Sequence, residues 1–316
     1  MTNKIRLGLI GVGKWGMNYV KTIENIEEAE LKIIACKDKK NKSHLTSNYK
    51  VIDNWHEITQ SKEIDGIIIA TPPETHFEIA SEAINNRKPI VIEKPLTLNF
   101  KNANSILSVA LEKQVSVKVN HIYLYHPSYR FLKKHISDRF NFNSIYSLAG
   151  NWGPFRTDVS PLWDWAPHDI AMCLDFMKEI PLEVDAKLTK EIFDPNKSML
   201  NICINLRFSN NKYAELNFGN IMETKKRVFK IIYDNKSYIF DPFNFKFIQQ
   251  EINFKLKEIK PIKSINSYSF FDSPLKVLID DFIKVIKKSK FDIYDLKLGK
   301  EVIKLIEIVE SKLDKK

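Results

Sequence analysis

An aspartate and a histidine in the middle of the chain are of the residue types that proton transfer needs. Asp164 and His168 lie in the segment Trp163-Asp-Trp-Ala-Pro-His-Asp169. Pro167 suits the first position of a helix, so we expect His168 in the first helical turn, where the helix dipole opposes a positive charge. A neutral imidazole there can act as a general base. Asp164, expected outside the helix, could turn back towards it.

Two alternatives exist for the same segment. Asp164 could cap a helix while His168 packs in the core. Asp164, His168 and Asp169 could also bind a metal ion, but no further ligand set with zinc spacing accompanies them. We therefore expect no metal site.

A glycine-rich segment near the start of the chain has the spacing of a phosphate-binding loop. Gly11-Val-Gly-Lys-Trp-Gly16 directly follows the apolar run Ile5–Ile10 and precedes a helix-like segment. Gly11 allows a tight turn, Gly13 lets backbone approach a pyrophosphate, and Gly16 lets the helix pack closely on the sheet. The helix N-terminus offers N–H groups to the phosphates. The alternative is a turn that only connects a strand to a helix.

Short apolar segments alternate with longer amphipathic ones through the first half of the chain. The expected strands cover residues 5–10, 31–36, 66–70, 90–92 and 115–119, and the expected helices cover 16–28, 74–86 and 99–112. This alternation predicts a doubly wound parallel sheet, a Rossmann domain, over residues 1–122.

From about Tyr123 the pattern changes to alternating strands, expected at 144–151, 199–208, 213–218, 227–233 and 236–240. They predict a mostly antiparallel sheet, with helices expected at 167–178, 275–288 and 299–312. The fold class is therefore α/β, with a second α+β domain over residues 123–316.

Ligands of a doubly wound sheet bind beyond the carboxyl ends of its strands, so residues just after the strands are candidates for contact. Lys37 and Asp38 follow the second strand. An acidic residue there would bind the ribose hydroxyls of NAD, whereas a basic one would favour the 2′-phosphate of NADP. The sequence therefore leaves NAD and NADP both open.

The next two strand ends also carry candidates. The third strand runs into Ala70-Thr-Pro-Pro-Glu-Thr-His76, and the fourth into Glu93-Lys94-Pro95. Pro95 fixes the backbone and directs the two charged side chains. The alternative for Glu93 and Lys94 is a solvated surface pair.

Composition excludes several classes of protein. The formal net charge is +10, but the lysines form no basic block interleaved with aromatic residues, so we expect no nucleic-acid binding. No apolar run approaches a membrane span, and no signal or transit segment precedes the first strand, so we expect no membrane association. Cys36, Cys173 and Cys203 are far apart and flanked by apolar residues, which predicts buried reduced thiols in a cytoplasmic protein.

The motifs together resemble the Gfo/Idh/MocA oxidoreductases, NAD(P)-dependent enzymes of sugars and cyclitols. The similarity covers almost the whole chain. It includes the glycine segment, residues 70–76 and 93–96, His121-Ile-Tyr-Leu-Tyr-His-Pro127, Gly153-Pro-Phe-Arg-Thr-Asp158 and Leu162-Trp-Asp-Trp-Ala-Pro-His-Asp169. The last two segments resemble a branch often associated with surface polysaccharides, to which UDP-N-acetylglucosamine 3-dehydrogenases belong.

The resemblance implies roles for individual residues. Lys94 matches the catalytic-site lysine beside the nicotinamide, and Asp164 and His168 match the D-x-x-x-H pair for substrate binding and proton transfer. The expected cofactor-binding residues are Gly11, Gly13, Lys14, Trp15, Gly16, Lys37, Asp38, Thr71, Pro72, His76, Glu93 and Lys94. The expected substrate-binding residues are Tyr125, Arg156, Asp164 and His168.

Three positions need separate treatment. Arg156 follows Gly153-Pro154 in a loop and could clamp a diphosphate, or form a structural salt bridge. Lys37 stands where many members of the family carry the ribose-binding acid. Leu124 stands where many sugar dehydrogenases carry an arginine, so substrate contacts inferred from those members do not transfer to this chain.

The expected activity is hydride transfer between nicotinamide and a ring carbon of a sugar, with a nucleotide-activated hexosamine or keto-sugar as the favoured substrate. The alternatives are a free sugar or inositol dehydrogenase and a non-catalytic dinucleotide or sugar sensor. The resemblance also implies an open C-terminal sheet, one face of which commonly forms a homodimer or homotetramer.

Overall fold

The computed structural model describes residues 4–43, 45, 48–136, 142–157, 159–194, 196–243, 248–253, 255–259 and 272–314. The chain forms two compact units. The first comprises residues 1–121 and 275–303, and the second comprises residues 122–274 and 304–316. The sequence pattern predicts a second domain over residues 123–316, whereas residues 275–303 group with the first unit in the structure.

The first unit contains a six-stranded parallel sheet with the order β3-β2-β1-β4-β5-β6. Its strands are β1 (Ile5–Ile10), β2 (Ala29–Ala35), β3 (Lys50–Ile52), β4 (Gly66–Ile69), β5 (Ile90–Glu93) and β6 (Val117–Asn120). Every residue of β4, β5 and β6 is buried, as expected of strands covered on both faces. The predicted doubly wound sheet is confirmed.

The helices connecting these strands are α1 (Lys14–Ile23), α2 (Lys39–Lys42), α3 (His56–Gln60), α4 (His76–Asn85) and α5 (Phe100–Lys113). Asn99 caps α5, because its side chain accepts a hydrogen bond from the Asn102 backbone N–H at 2.8 Å. Helix α1 begins at Lys14, two residues before the predicted start, so Gly16 lies inside its first turn.

The second unit contains an eight-stranded sheet with the order β14-β13-β12-β11-β7-β10-β9-β8. Its strands are β7 (Ser144–Trp152), β8 (Glu183–Glu191), β9 (Leu200–Arg207), β10 (Tyr213–Gly219), β11 (Ile221–Ile232), β12 (Lys236–Phe240), β13 (Ile248–Ile252) and β14 (Lys255–Ile259). All neighbouring strands are antiparallel except β7 and β10, so the predicted mostly antiparallel sheet is confirmed. Helices α6 (Pro127–Ile136) and α7 (Pro161–Met177) belong to the same unit.

The last two helices are α8 (Pro274–Lys287) and α9 (Tyr294–Leu313). A buried ion-pair cluster ties the segment between them to β6: the ammonium nitrogen of Lys118 lies 3.1 Å from carboxylate oxygens of both Asp292 and Asp295. Burial opposes the charge of Lys118, but the two carboxylates outweigh it and raise the lysine pKa. These contacts explain why residues 275–303 return to the first unit.

The three cysteines are buried and free, as predicted. Within the described ranges, no helix is both long enough and apolar enough to cross a bilayer.

Candidate active site

The glycine loop leaves β1 in a conformation that only glycine adopts easily. Gly11 has a φ of +94°, and a Cβ there would lie 2.7 Å from the Ala70 carbonyl oxygen. A Cβ on Gly16 would lie 2.2 Å from the Gly11 carbonyl oxygen, so α1 can approach the loop only with glycine at this position. These two contacts bring the start of α1 against the ends of β1 and β4.

Gly13 differs from the other two glycines because it faces open space. It is the N-cap of α1 without a side-chain cap, and a Cβ built on it would meet no atom within 4 Å. The first turn of α1 contains no acidic residue. Backbone N–H groups at this helix start can therefore receive a diphosphate, so the loop fits a dinucleotide.

We predict that Gly13→Val abolishes measurable binding of NAD(H) and NADP(H) while the protein stays folded. The φ of Gly13 is −81°, which valine can adopt, and the open space accommodates the added methyl groups. Those methyl groups would occupy the volume through which the pyrophosphate approaches the backbone. Calorimetry measures the affinity, and circular dichroism checks the fold. Equal affinities in the two proteins would contradict the assignment.

The loops after β4 and β5 are joined by a buried histidine. His76 Nδ1 lies 2.9 Å from the Pro95 carbonyl oxygen, and Nε2 lies 3.0 Å from the Thr71 carbonyl oxygen. Burial lowers the pKa of His76, although the two carbonyls act in the opposite direction. Its ring nitrogens thus face backbone, which makes His76 a support of the two loops. The Thr71 hydroxyl accepts a hydrogen bond from Thr75 at 2.7 Å.

Glu93 and Lys94 are not a solvated surface pair, because Glu93 is only 6% exposed. Its Oε1 accepts hydrogen bonds from the Tyr19 hydroxyl at 2.7 Å and from Asn120 Nδ2 at 2.6 Å. Burial raises the pKa of Glu93, whereas these two donors act to lower it. Lys94 is half-buried and precedes a cis proline peptide.

The remaining predicted cofactor residues lie on the surface of the first unit. Lys14, Trp15, Lys37, Asp38 and Pro72 are exposed. Asp38 caps the short helix α2, because its Oδ1 accepts a hydrogen bond from the Lys40 N–H at 2.8 Å.

Helix α7 corrects the prediction for the central segment. It begins at Pro161, after the N-cap Ser160, and Pro167 lies inside it. Asp164 is therefore helical rather than outside the helix, and the helix-dipole argument for His168 was wrong, because that effect fades beyond the first turn. Residues four apart share one helix face, so Asp164 and His168 point to the same side of α7.

A second group of residues, which the sequence analysis missed, is linked to His168 through the ring of Tyr123. Arg227 on β11 is 1% exposed and lies 2.8 Å from Asp169 Oδ2. Ser147 on β7 donates to Asp169 Oδ1. The Arg227 guanidinium lies 4.3 Å from the centre of the Tyr123 ring, which forms a T-shaped pair with the His168 ring at a centroid distance of 5.1 Å.

The contacts of Asp169 weaken the alternative that Asp164, His168 and Asp169 bind a metal ion. Both oxygens of Asp169 accept hydrogen bonds from protein donors, which uses them for structure. Within the part of the chain that the structure describes, no group of three or more histidine, cysteine, aspartate or glutamate residues could bind a metal ion. Sequence alone offered no signal for Arg227, Tyr123 or Ser147, since they come from three separate elements.

Arg156 lies beside the predicted pair on α7. Its Nη1 is 3.7 Å from Asp164 Oδ1, and its side chain is 45% exposed. The predicted substrate residue Tyr125 is 2% exposed, and the Arg130 guanidinium lies 4.9 Å from its ring centre. Asp158, in the same motif as Arg156, lies outside the described residues.

Comparison with known proteins identifies the first unit. Residues 5–121 match the family model of the oxidoreductase family with an NAD-binding Rossmann fold, Gfo/Idh/MocA. UDP-N-acetylglucosamine 3-dehydrogenase of Acidithiobacillus ferrooxidans is 29% identical over 128 residues, which are 39% of either chain. The scyllo-inositol 2-dehydrogenase (NAD(+)) of Bacillus subtilis is 25% identical over 140 residues, 43% of this chain and 41% of the relative. This chain thus spans about two fifths of the length of these two relatives.

Solved structures extend the likeness over both units. A protein of Magnetospirillum magnetotacticum MS-1 assigned as an oxidoreductase superposes with a TM-score of 0.86 at 27% identity, covering 96% of this chain and 99% of that one. The structure of the Acidithiobacillus ferrooxidans UDP-N-acetylglucosamine 3-dehydrogenase has a TM-score of 0.85 at 19% identity over 99% of both chains, which shows the shared fold. The first unit thus matches the NAD-binding Rossmann domain of the Gfo/Idh/MocA oxidoreductases.

Proposed function

We propose that this protein is a sugar dehydrogenase or reductase that acts on a nucleotide-activated hexosamine or keto-sugar at a ring carbon. The observation that carries the proposal is the position of Asp164 and His168 on one face of α7. A carboxylate and an imidazole at this spacing can bind adjacent groups of one small molecule. The first unit binds the cofactor, and we assign the substrate to the second.

When bound at the glycine loop, a nicotinamide cofactor would supply the hydride acceptor for oxidation of the sugar carbon. His168 removes the proton of the hydroxyl on that carbon. From its match to the catalytic-site lysine, we assign Lys94 the role of a hydrogen-bond donor that stabilises negative charge developing on a substrate oxygen. Asp164 accepts a hydrogen bond from a neighbouring sugar hydroxyl or orients the His168 ring.

Arg156 supports the choice of a nucleotide-activated sugar. Its side chain is 45% exposed and lies beside Asp164, so a substrate bound at that aspartate would also meet a guanidinium. Guanidinium groups bind phosphate oxygens in a bidentate manner, and the diphosphate of a nucleotide sugar supplies such oxygens. We further propose a cytoplasmic homodimer or homotetramer formed through the sheet of the second unit, with a role in polysaccharide biosynthesis.

The test of the proposed function measures nicotinamide absorbance on addition of nucleotide sugars, free sugars and inositols to the purified protein with NAD(H) or NADP(H). Turnover with a nucleotide sugar supports the proposal. Turnover confined to free sugars or inositols would assign the protein to that class instead. Tight binding of one compound without turnover of any would make it a sensor.

Lys94→Ala should lower turnover by roughly 10²–10³-fold, the loss typical of removing one donor to a developing oxyanion. The fold should survive, because Lys94 is only half-buried. Steady-state kinetics measures the change, with whichever substrate the absorbance screen identifies. The matched control is Lys101→Ala, an exposed lysine on α5, which should leave turnover unchanged. Near-normal turnover in Lys94→Ala would remove Lys94 from the reaction.

A further inference from the structure

Two adjacent residues at the end of β6 contain polar atoms that are buried without a partner. Asn120 is 1% exposed and His121 is 2% exposed. Among the residues that the structure describes, no group forms a hydrogen bond with Asn120 Oδ1 or with either ring nitrogen of His121. Such atoms are rare in native proteins, and each one needs an explanation.

A hydrogen-bond network fixes which atom of the Asn120 amide is left over. Asn120 Nδ2 donates to Glu93 Oε1 at 2.6 Å and to the Tyr19 hydroxyl at 2.9 Å, while that hydroxyl donates to the same glutamate oxygen at 2.7 Å. Glu93 Oε1 accepts both bonds, so the amide must turn its nitrogen towards the glutamate. The unmatched atom is therefore the acceptor Oδ1.

His121 contributes the opposite hydrogen-bonding character. Burial, together with the positive charge of Lys94, lowers the pKa of His121 to about 3, so the ring is neutral at physiological pH. A neutral imidazole has one N–H donor and one acceptor nitrogen. Asn120 and His121 together thus offer an acceptor and a donor on neighbouring residues.

Their place in the sheet indicates what these atoms bind. Asn120 pairs with Glu93 in the register of β5 and β6, so both residues lie at the carboxyl edge of the parallel sheet. This edge is where doubly wound sheets bind their ligands. Within the NAD-binding unit, a ligand group with a donor and an acceptor side by side is the carboxamide of nicotinamide.

We propose that Asn120 and His121 form a carboxamide-binding pair for the nicotinamide ring. Asn120 Oδ1 accepts a hydrogen bond from the amide nitrogen, and the His121 ring donates one to the amide oxygen. Tyr19 and Glu93 are positioning residues that orient the Asn120 amide. The proposal depends on NAD binding and not on the identity of the sugar.

The experiment compares three ligands by calorimetry without any sugar: NADH, its reduced 3-acetylpyridine analogue, and ADP-ribose. The analogue has a methyl group in place of the amide nitrogen, and ADP-ribose lacks the nicotinamide. The wild-type protein should bind NADH about three- to tenfold more tightly than the analogue, the effect of one neutral hydrogen bond. Asn120→Ala should remove this preference. His121→Phe should weaken both by a similar factor, and neither variant should change the affinity for ADP-ribose.

Controls keep the proposal open to refutation if a buried variant does not fold. Tyr19→Phe touches no ligand but removes one bond that orients the amide, so it should reduce the preference for NADH over the analogue. Asn104→Ala, an exposed asparagine on α5, should change nothing.

Three results would overturn the proposal. Equal wild-type affinities for NADH and the analogue would show that Asn120 Oδ1 does not bind the amide, and ordered water would then be its partner. An equal loss of ADP-ribose binding in His121→Phe would show that the residue only supports the fold. Unchanged dinucleotide affinities with a raised sugar KM would assign the pair to a sugar hydroxyl instead.

Discussion

Replacing His168 with asparagine is expected to lower turnover by roughly 10²–10⁴-fold, the usual effect of removing a general base. The loss should fall mainly on kcat, because a base acts in the transition state more than in substrate binding. The rate of alcohol oxidation by the wild-type protein should rise with pH through one ionisation, as the base loses its proton. That ionisation should be missing from the profile of the variant. The measurement is the pH dependence of kcat and kcat/KM for both proteins.

The matched control for this variant is His135→Asn, which changes an exposed histidine on α6. It should keep both the wild-type turnover and the wild-type pH profile. Cofactor affinity measured in parallel separates a loss of chemistry from a loss of binding. If His168→Asn retained near-normal turnover and an unchanged profile, His168 would have a packing role, and Lys94 would become the next candidate for the base.

The glycine loop and the parallel sheet could be predicted from local patterns. Strand β1 follows the prediction at both ends, and Asn99, a residue type that favours helix N-caps, caps α5. These features depend on a few consecutive residues: an apolar run, a glycine spacing and a capping side chain. Where the determinants of a structure are local, the sequence is sufficient to predict it.

The start of α7 shows how a local rule can be applied at the wrong place. Proline at the first helical position is a sound signal, and Pro167 satisfied it. Ser160-Pro161 satisfies it as well: Ser160 occupies the N-cap position without a side-chain capping bond, Pro161 is the first helical residue, and the helix begins there. Pro167 then lies inside the helix, where it lacks the N–H that would bond to the Trp163 carbonyl. His168 is the eighth residue of α7, so it lies beyond the first turn, in which the helix dipole acts.

The contacts near His168 and the Lys118 ion-pair cluster could not be predicted, because both depend on residues far apart in the sequence. Arg227 and Asp169 are 58 positions apart, and Lys118 is 174 and 177 positions from Asp292 and Asp295. No periodicity or spacing links such residues. Their partnership depends on how distant elements pack, as where Asp169 on α7 meets Arg227 on β11 and Ser147 on β7.

Removing the carboxylate of Asp169 is expected to lower the free energy of unfolding by about 3–5 kcal/mol, the range for breaking a buried ion pair. Asp169→Ala would leave the guanidinium of Arg227, which is 1% exposed, without its counter-ion, and the Ser147 hydroxyl without its acceptor. The loss should be far larger than for a surface pair. Glu183→Ala breaks the exposed pair with Arg207 in the same unit and should change the stability by about 0–1 kcal/mol. Chemical denaturation followed by circular dichroism and tryptophan fluorescence measures both changes.

The double variant Asp169→Ala/Arg227→Met tests the reason for this loss. If the destabilisation comes from an unpaired buried charge, removing Arg227 as well should recover much of the lost stability, since apolar replacement of a buried ion pair is often neutral or stabilising. If it comes from the space left by the carboxylate, the double variant should be no more stable than Asp169→Ala.

The kcat of the same double variant tests whether the ion pair also positions the catalytic histidine. Even a stable double variant should have a lower kcat than the wild type, because the Tyr123 ring that contacts His168 would no longer lie against the guanidinium. Wild-type kcat in a stable double variant would show that the ion pair supports only the fold of the second unit.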